Sequence, residues 1–92
     1  MKNEGDVKAA VKKLLNKHKW YWWMPGANGY GTQGVSDFLC LRNGTFLAIE
    51  TKFGKNKPTA SQDLFLSTVV ANGGAAIVVT EHDIEKLDEV LA

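Results

Sequence analysis

Near the start of the chain Val7, Ala10, Val11, Leu14 and Leu15 recur at helical spacing. They form one apolar stripe that predicts a helix from Asn3 to about His18. Asn3 can cap its first turn, and Glu4 and Asp6 suit the positive end of the helix dipole. Lys12, Lys13, Lys17, His18 and Lys19 suit the other end. Residues 19–24 are dominated by aromatics, which favour strands, and Pro25 closes the run. Alternation sends Trp20 and Trp22 to one side and Tyr21 and Trp23 to the other, so both sides need cover. A helix layer and a second surface would supply it; a dimer contact on one side is the sharper reading, because large aromatics concentrate at interfaces, and base stacking is a third use. Two apolar runs, 34–41 and 46–52, flank Arg42-Asn43-Gly44-Thr45, and an Asn-Gly so placed is the strongest short-range signal for a β-hairpin. Thr59 and Gln62 have capping-box spacing ahead of a helix that carries Leu64, Leu66, Val69 and Val70 and stops at Asn72-Gly73. Residues 75–79 form an unbroken apolar run, expected to be a central strand. Thr80 is expected to cap a last helix over 81–91, with Ile84, Leu87, Val90 and Leu91 on one side. The predicted order is α-β-β-β-α-β-α, an α/β domain with a mixed central sheet flanked by helices.

Composition agrees with one globular domain over residues 1–92: 45% of residues are apolar and 23% charged. A chain this short buries only about 60–65% of its unfolded surface, so dimerisation would help it. No apolar run approaches the roughly 20 residues that span a bilayer. The polar opening residues lack the apolar core of a signal peptide, so a cytoplasmic location is expected, with no membrane partner. Cys40, the single cysteine, cannot form an intramolecular disulfide and is expected to pack as a small hydrophobe. The net charge of +1 hides an asymmetry. Residues 1–60 carry ten Lys/Arg against four Asp/Glu, and residues 61–92 carry one Lys against six Asp/Glu. A basic half can attract a phosphate backbone while the acidic end points elsewhere; solvated faces of two helices would read the same way.

The hairpin changes the picture most. Folding it about its turn brings Asp37 beside Glu50, 13 positions away, and Lys52 shares a face with Glu50 because strand side chains alternate. Two converging carboxylates repel unless a cation lies between them, and hard oxygen donors favour Mg²⁺ or Mn²⁺. A main-chain carbonyl and water would complete the octahedron, and Lys52 would hold the attacking water or stabilise charge developing on a phosphorane. Ordinary salt bridges from Lys52 to either carboxylate are the plain alternative. Zinc has no ligand set, since His18 and His82 are isolated and Cys40 lacks a partner at ligand spacing. The glycine-rich run 25–34 is not a phosphate-binding P-loop, because no Gly-Lys-Ser/Thr follows; its length suits a segment that orders on a substrate. Gly34 would let a backbone or phosphate approach closely, and a short basic loop with Lys55 and Lys57 follows Lys52.

This pattern resembles the PD-(D/E)xK nuclease superfamily and, within it, the VRR-NUC group of virus-type replication-repair nucleases in its small stand-alone phage and bacterial form. That group pairs Gly-x-x-Asp with Glu-x-Lys across a short hairpin and places Gln at the start of the next helix. Gly34-Val35-Ser36-Asp37, Glu50-Thr51-Lys52 and Gln62 match, and the likeness runs from Glu4 to about Val79. Ser36 stands where the superfamily's name has Pro. The resemblance implies a restriction-endonuclease-like core in which Asp37, Glu50 and the Thr51 carbonyl bind Mg²⁺ or Mn²⁺. Lys52 would assist the water, and Gln62 would steady that lysine or a phosphate. Glu4 matches an acidic residue on the first helix that completes the metal site, directly or through water; as a helix N-terminal charge it needs no such role. Tyr30, Gly34, Lys55 and Lys57 would meet DNA. The implied activity is hydrolysis of DNA phosphodiesters by a homodimeric Holliday junction resolvase, with no small-molecule cofactor. A flap or nicking nuclease that needs a partner domain, and a nucleic-acid-binding module without catalysis, are the alternatives. A one-residue slip of the hairpin register would send the acidic groups to opposite faces.

Overall fold

Asn43 and Gly44 both adopt positive φ, 50° and 82°, the two-residue turn whose twist matches that of paired strands. The turn fixes a hairpin in which Phe38 faces Ile49 and Arg42 faces Thr45. The computed structural model describes residues 1–26 and 32–92. Its elements are α1 (Glu4–Lys17), β1 (Tyr21–Trp23), β2 (Phe38–Arg42), β3 (Thr45–Thr51), α2 (Ala60–Ala71), β4 (Ala75–Val79) and α3 (Ile84–Leu91). The fold is α/β: a four-stranded mixed sheet in the order β1-β2-β3-β4 with three helices. β1 and β2 pair antiparallel, as do β2 and β3, while β4 lies parallel to β3. Among the described residues no helix is long and apolar enough to cross a membrane.

β4 is therefore an edge strand, not the central strand that its composition suggested. Its apolar run reflects cover on both faces: Ile77 and Val79 join the main core, and α2 packs on the other side. That core unites α1 and α3 with one face of the sheet. Val7, Val11, Leu15, Phe38, Cys40, Ile49, Leu87 and Leu91 are fully buried in it, each larger side chain contributing about 1.5–3 kcal/mol of transfer free energy. Burial pushes the Cys40 thiol up to about 12, so it packs as an inert apolar group.

Helix boundaries follow their caps. Asn3 Oδ1 accepts from Asp6 N at 2.9 Å and starts α1, and Thr59 and Gln62 close the capping box of α2. α3 begins three residues later than expected, because Asp83 accepts from Thr80 N and Oγ1 at 2.8 and 3.0 Å. Thr80 thus donates into a turn and does not cap a helix. The acidic end of the chain does not point away from the basic half either. Asp88 on α3 pairs with Lys17 at 3.1 Å and His18 at 2.6 Å, docking α3 on the end of α1, and these contacts hold the Asp88 carboxyl below its ordinary range.

Among the described residues the aromatic strand is covered on one side only. Trp20 is buried, donates to the Leu91 carbonyl at 3.0 Å and carries the Arg42 guanidinium over its ring. Trp22 meets Phe38 edge-on. On the other side Tyr21 is 70% exposed, and its cross-strand partner Leu41 and neighbour Trp23 are exposed as well. α2 lies on this second face, where Phe65 and Val69 line a groove with Phe46, but it leans towards β4, and no other described element covers β1 and β2 there. α2 itself buries only Leu66, with Leu64 and Val70 open to solvent against expectation.

Candidate active site

The hairpin register carries Asp37, one residue before β2, to the end of β3. Asp37 N donates to Glu50 Oε1 at 3.2 Å. In return Asp37 Oδ2 accepts from Thr51 N at 3.0 Å and from Thr51 Oγ1. The two acids are thereby locked side by side by main-chain hydrogen bonds. Glu50 is only 2% exposed, and Lys52 Nζ lies 3.3 Å from its Oε2. Lys52 N–H donates to the Val79 carbonyl at 3.0 Å, so the pairing with β4 sets where this lysine leaves the sheet. Burial, and then the neighbouring Asp37 charge, push the Glu50 carboxyl above its ordinary range, against the opposing pull of Lys52. A buried acid raised in this way beside a second acid and a lysine is an arrangement shared by functional sites and by structural ion-pair networks.

Ser36 is buried and donates from Oγ to the Phe38 carbonyl at 3.0 Å, which shapes the approach to Asp37 where a proline would otherwise fix it. Gly34 has φ +74°, and a Cβ there would lie 2.3 Å from the Ser61 carbonyl oxygen and 2.7 Å from Gln62 N. The close approach expected of this glycine is to the first turn of α2. Gly34 thus couples the Asp37 segment to the first turn of α2.

Gln62 stands in the first turn of α2. Its Oε1 accepts from Thr59 N at 2.9 Å, so the capping box holds that oxygen. Glu4 stands at the start of α1, where its Oε2 pairs with Lys8 at 3.3 Å. Lys8 Nζ in turn lies 3.8 Å from Asp37 Oδ1, which links Glu4 to the site through a lysine. Lys55 and Lys57 are exposed on the loop beyond Lys52. Glu81 holds that loop, accepting from Gly54 N with both oxygens at 3.0 and 3.1 Å, and this N–H lowers the Glu81 carboxyl from its ordinary range. Tyr30 lies outside the described residues.

Sequence reasoning missed Lys8 and Glu81. Lys8 sits one helical turn after Glu4, a spacing that announces an ion pair, but its approach to Asp37 depends on how α1 crosses the sheet. Glu81 is 27 residues from Gly54, and nothing local marks the pair.

Among the described residues no three His, Cys, Asp or Glu side chains converge as metal ligands. The donor set at the hairpin mouth is two carboxylates, all oxygen and one of them buried. Such a set fits a hard divalent ion that keeps several waters, as Mg²⁺ does, and does not fit zinc. Asp37, Glu50 and the Thr51 carbonyl would hold it. In comparisons with known proteins, no family model and no curated protein matches this chain.

Proposed function

We propose that the chain is a Mg²⁺- or Mn²⁺-dependent DNA endonuclease with a restriction-endonuclease-like PD-(D/E)xK core of the VRR-NUC kind, acting as a homodimer on branched DNA and foremost on four-way junctions. The observation that carries this reading is the hairpin mouth, where Asp37 and the buried Glu50 are held together with Lys52 Nζ 3.3 Å from Glu50. A divalent ion bound there would offset charge on the phosphoryl oxygens. Lys52 orients the attacking water and stabilises the oxygen on which charge develops, as a bond from water to phosphorus forms and a phosphodiester P–O bond breaks. Thr51 keeps Asp37 aimed at the site by two hydrogen bonds. Lys55 and Lys57, on the loop that Glu81 pins, supply the sequence-independent attraction to the DNA backbone.

The test is cleavage of labelled four-way junction, flap, linear duplex and single strand in Mg²⁺, Mn²⁺ or EDTA, with Lys52→Ala beside the wild type. Paired nicks on the junction, absent in EDTA and reduced at least about 100-fold by Lys52→Ala, support a resolvase. Cleavage of the flap alone supports a flap nuclease in its place, and metal-dependent cleavage of nothing leaves a binding module.

The homodimer draws on the side of β1 and β2 that no described element covers, where the apolar side chains of Tyr21, Trp23 and Leu41 are exposed. Aromatics so placed suit the core of a protein interface. Light scattering after size exclusion should give twice the 10.1 kDa chain mass. Tyr21→Lys with Leu41→Lys should give a single folded chain, and a wild type of single mass would remove the dimer from the reading.

A further inference from the structure

We propose that Lys8 is the counter-cation of the metal-free site, and that a divalent ion must displace it to reach Asp37, so Lys8 sets how tightly the site binds metal. The inference rests on the metal reading of the hairpin mouth. It begins from how the site's oxygens are shared. Asp37 Oδ2 is held by Thr51 N and Oγ1. Glu50 Oε1 accepts from Asp37 N, and Oε2 faces Lys52. Among the described residues Asp37 Oδ1 is the one carboxylate oxygen of the pair with no hydrogen bond or closer ammonium, and the ammonium that approaches it is Lys8 Nζ at 3.8 Å.

Lys8 and Lys52 are not equivalent cations. Lys52 is 13% exposed at its side chain, stands against buried Glu50 and leaves a backbone fixed by β4. Lys8 is 30% exposed and extends from α1 between Glu4 and Asp37, 3.3 Å from the first and 3.8 Å from the second. Its flexible four-carbon stem can swing away, and Glu4 offers it a partner when it leaves Asp37. A divalent ion at Asp37 and an ammonium at the same oxygen repel across a few ångströms in a partly solvated site, where charge effects persist but are screened. Removing the ammonium should thus tighten metal binding and remove the ion pair that steadies Asp37 in the metal-free protein.

The experiment is a calorimetric titration of the metal-free chain with Mn²⁺ at low ionic strength, with no DNA present. Lys8→Gln should bind Mn²⁺ about 5- to 30-fold more tightly than the wild type. Lys12→Gln, the same loss of charge at an exposed position one turn further along α1, should change affinity less than about twofold. Lys8→Arg keeps the charge and should stay near wild-type affinity. Circular dichroism melts confirm that each variant is folded. Affinity in Lys8→Gln that is unchanged, weaker, or shifted no more than in Lys12→Gln overturns the role of Lys8 alone, because the wild type still binds. A wild type that binds no Mn²⁺ overturns the metal reading, and this inference with it.

Discussion

Replacing Glu50 by Gln is expected to abolish metal-dependent cleavage, by about a thousandfold or more, while raising the thermal midpoint of the metal-free protein. Both effects come from one property of this carboxyl group. Glu50 is nearly inaccessible and stands beside Asp37, and burial and then that neighbouring charge raise its pKa. Ionised Glu50 is therefore a burden on the metal-free fold, which the nearby Lys52 only partly offsets. A neutral amide of the same shape removes the desolvation and the repulsion together, and it also removes the charge that would hold a divalent ion. The sign of the pH dependence follows. A carboxyl raised in the folded state contributes stability that is fully present below its unfolded value and is lost as pH rises through its folded value. Melting of the metal-free wild type should consequently show a loss of stability as pH climbs out of the ordinary carboxylate range, and Glu50→Gln should flatten it. Metal binding needs the ionised form, so cleavage should rise with pH across the same window. Cleavage retained by Glu50→Gln would remove this acid from the site.

Gly34→Ala is expected to cost about 2–4 kcal/mol of stability, a fall of roughly 10–30 °C in melting temperature for a domain of this size. Two effects add. The backbone at Gly34 has φ +74°, and the new Cβ would lie 2.3 Å from the Ser61 carbonyl oxygen. Gly44→Ala separates them: φ there is +82°, but nothing stands within 4 Å of its Cβ. It should lose only about 1 kcal/mol, the conformational part alone. Urea denaturation of the two variants, compared at equal slope, gives the packing part as their difference. Because Gly34 seats the segment that ends at Asp37 on α2, cleavage should fall further in Gly34→Ala than in Gly44→Ala at a temperature where both are folded. Equal losses of stability would show that the contact with Ser61 is not rigid.

What could be read from the sequence was what is local. Asn43-Gly44 needs positive φ at two successive residues, and few turns other than a tight hairpin provide that, so the register that sets Asp37 beside Glu50 was visible in the chain. The capping box of Thr59 and Gln62 was legible for the same reason, and it occupies the oxygen of a side chain expected to steady Lys52 or a phosphate. Properties set by the third dimension were hidden. An apolar run such as 75–79 reports cover on two faces and does not report how many strands lie beside it, so the edge position of β4 was misread. Alternation sorted Trp20 and Trp22 from Tyr21 and Trp23 correctly but could not tell that α2 leans away and leaves the second pair exposed. α3 starts late because Thr80, His82 and Asp83 hydrogen-bond among themselves in a turn, a local closure that spacing alone did not show. Lys8 and Glu81 act on the site across α1 and across the loop after β4, distances that no periodicity encodes.

Whether Asp37 and Glu50 together hold a divalent ion is the point on which the enzymatic reading turns. Paramagnetic resonance of Mn²⁺ added to the metal-free chain counts bound ions directly, with no substrate needed. The expected result is one ion per chain in the wild type and none in Asp37→Asn at the same concentrations, with both proteins giving the same circular dichroism spectrum. Mn²⁺ that stays free in the wild type, or binds Asp37→Asn equally well, would contradict a metal site at the hairpin mouth.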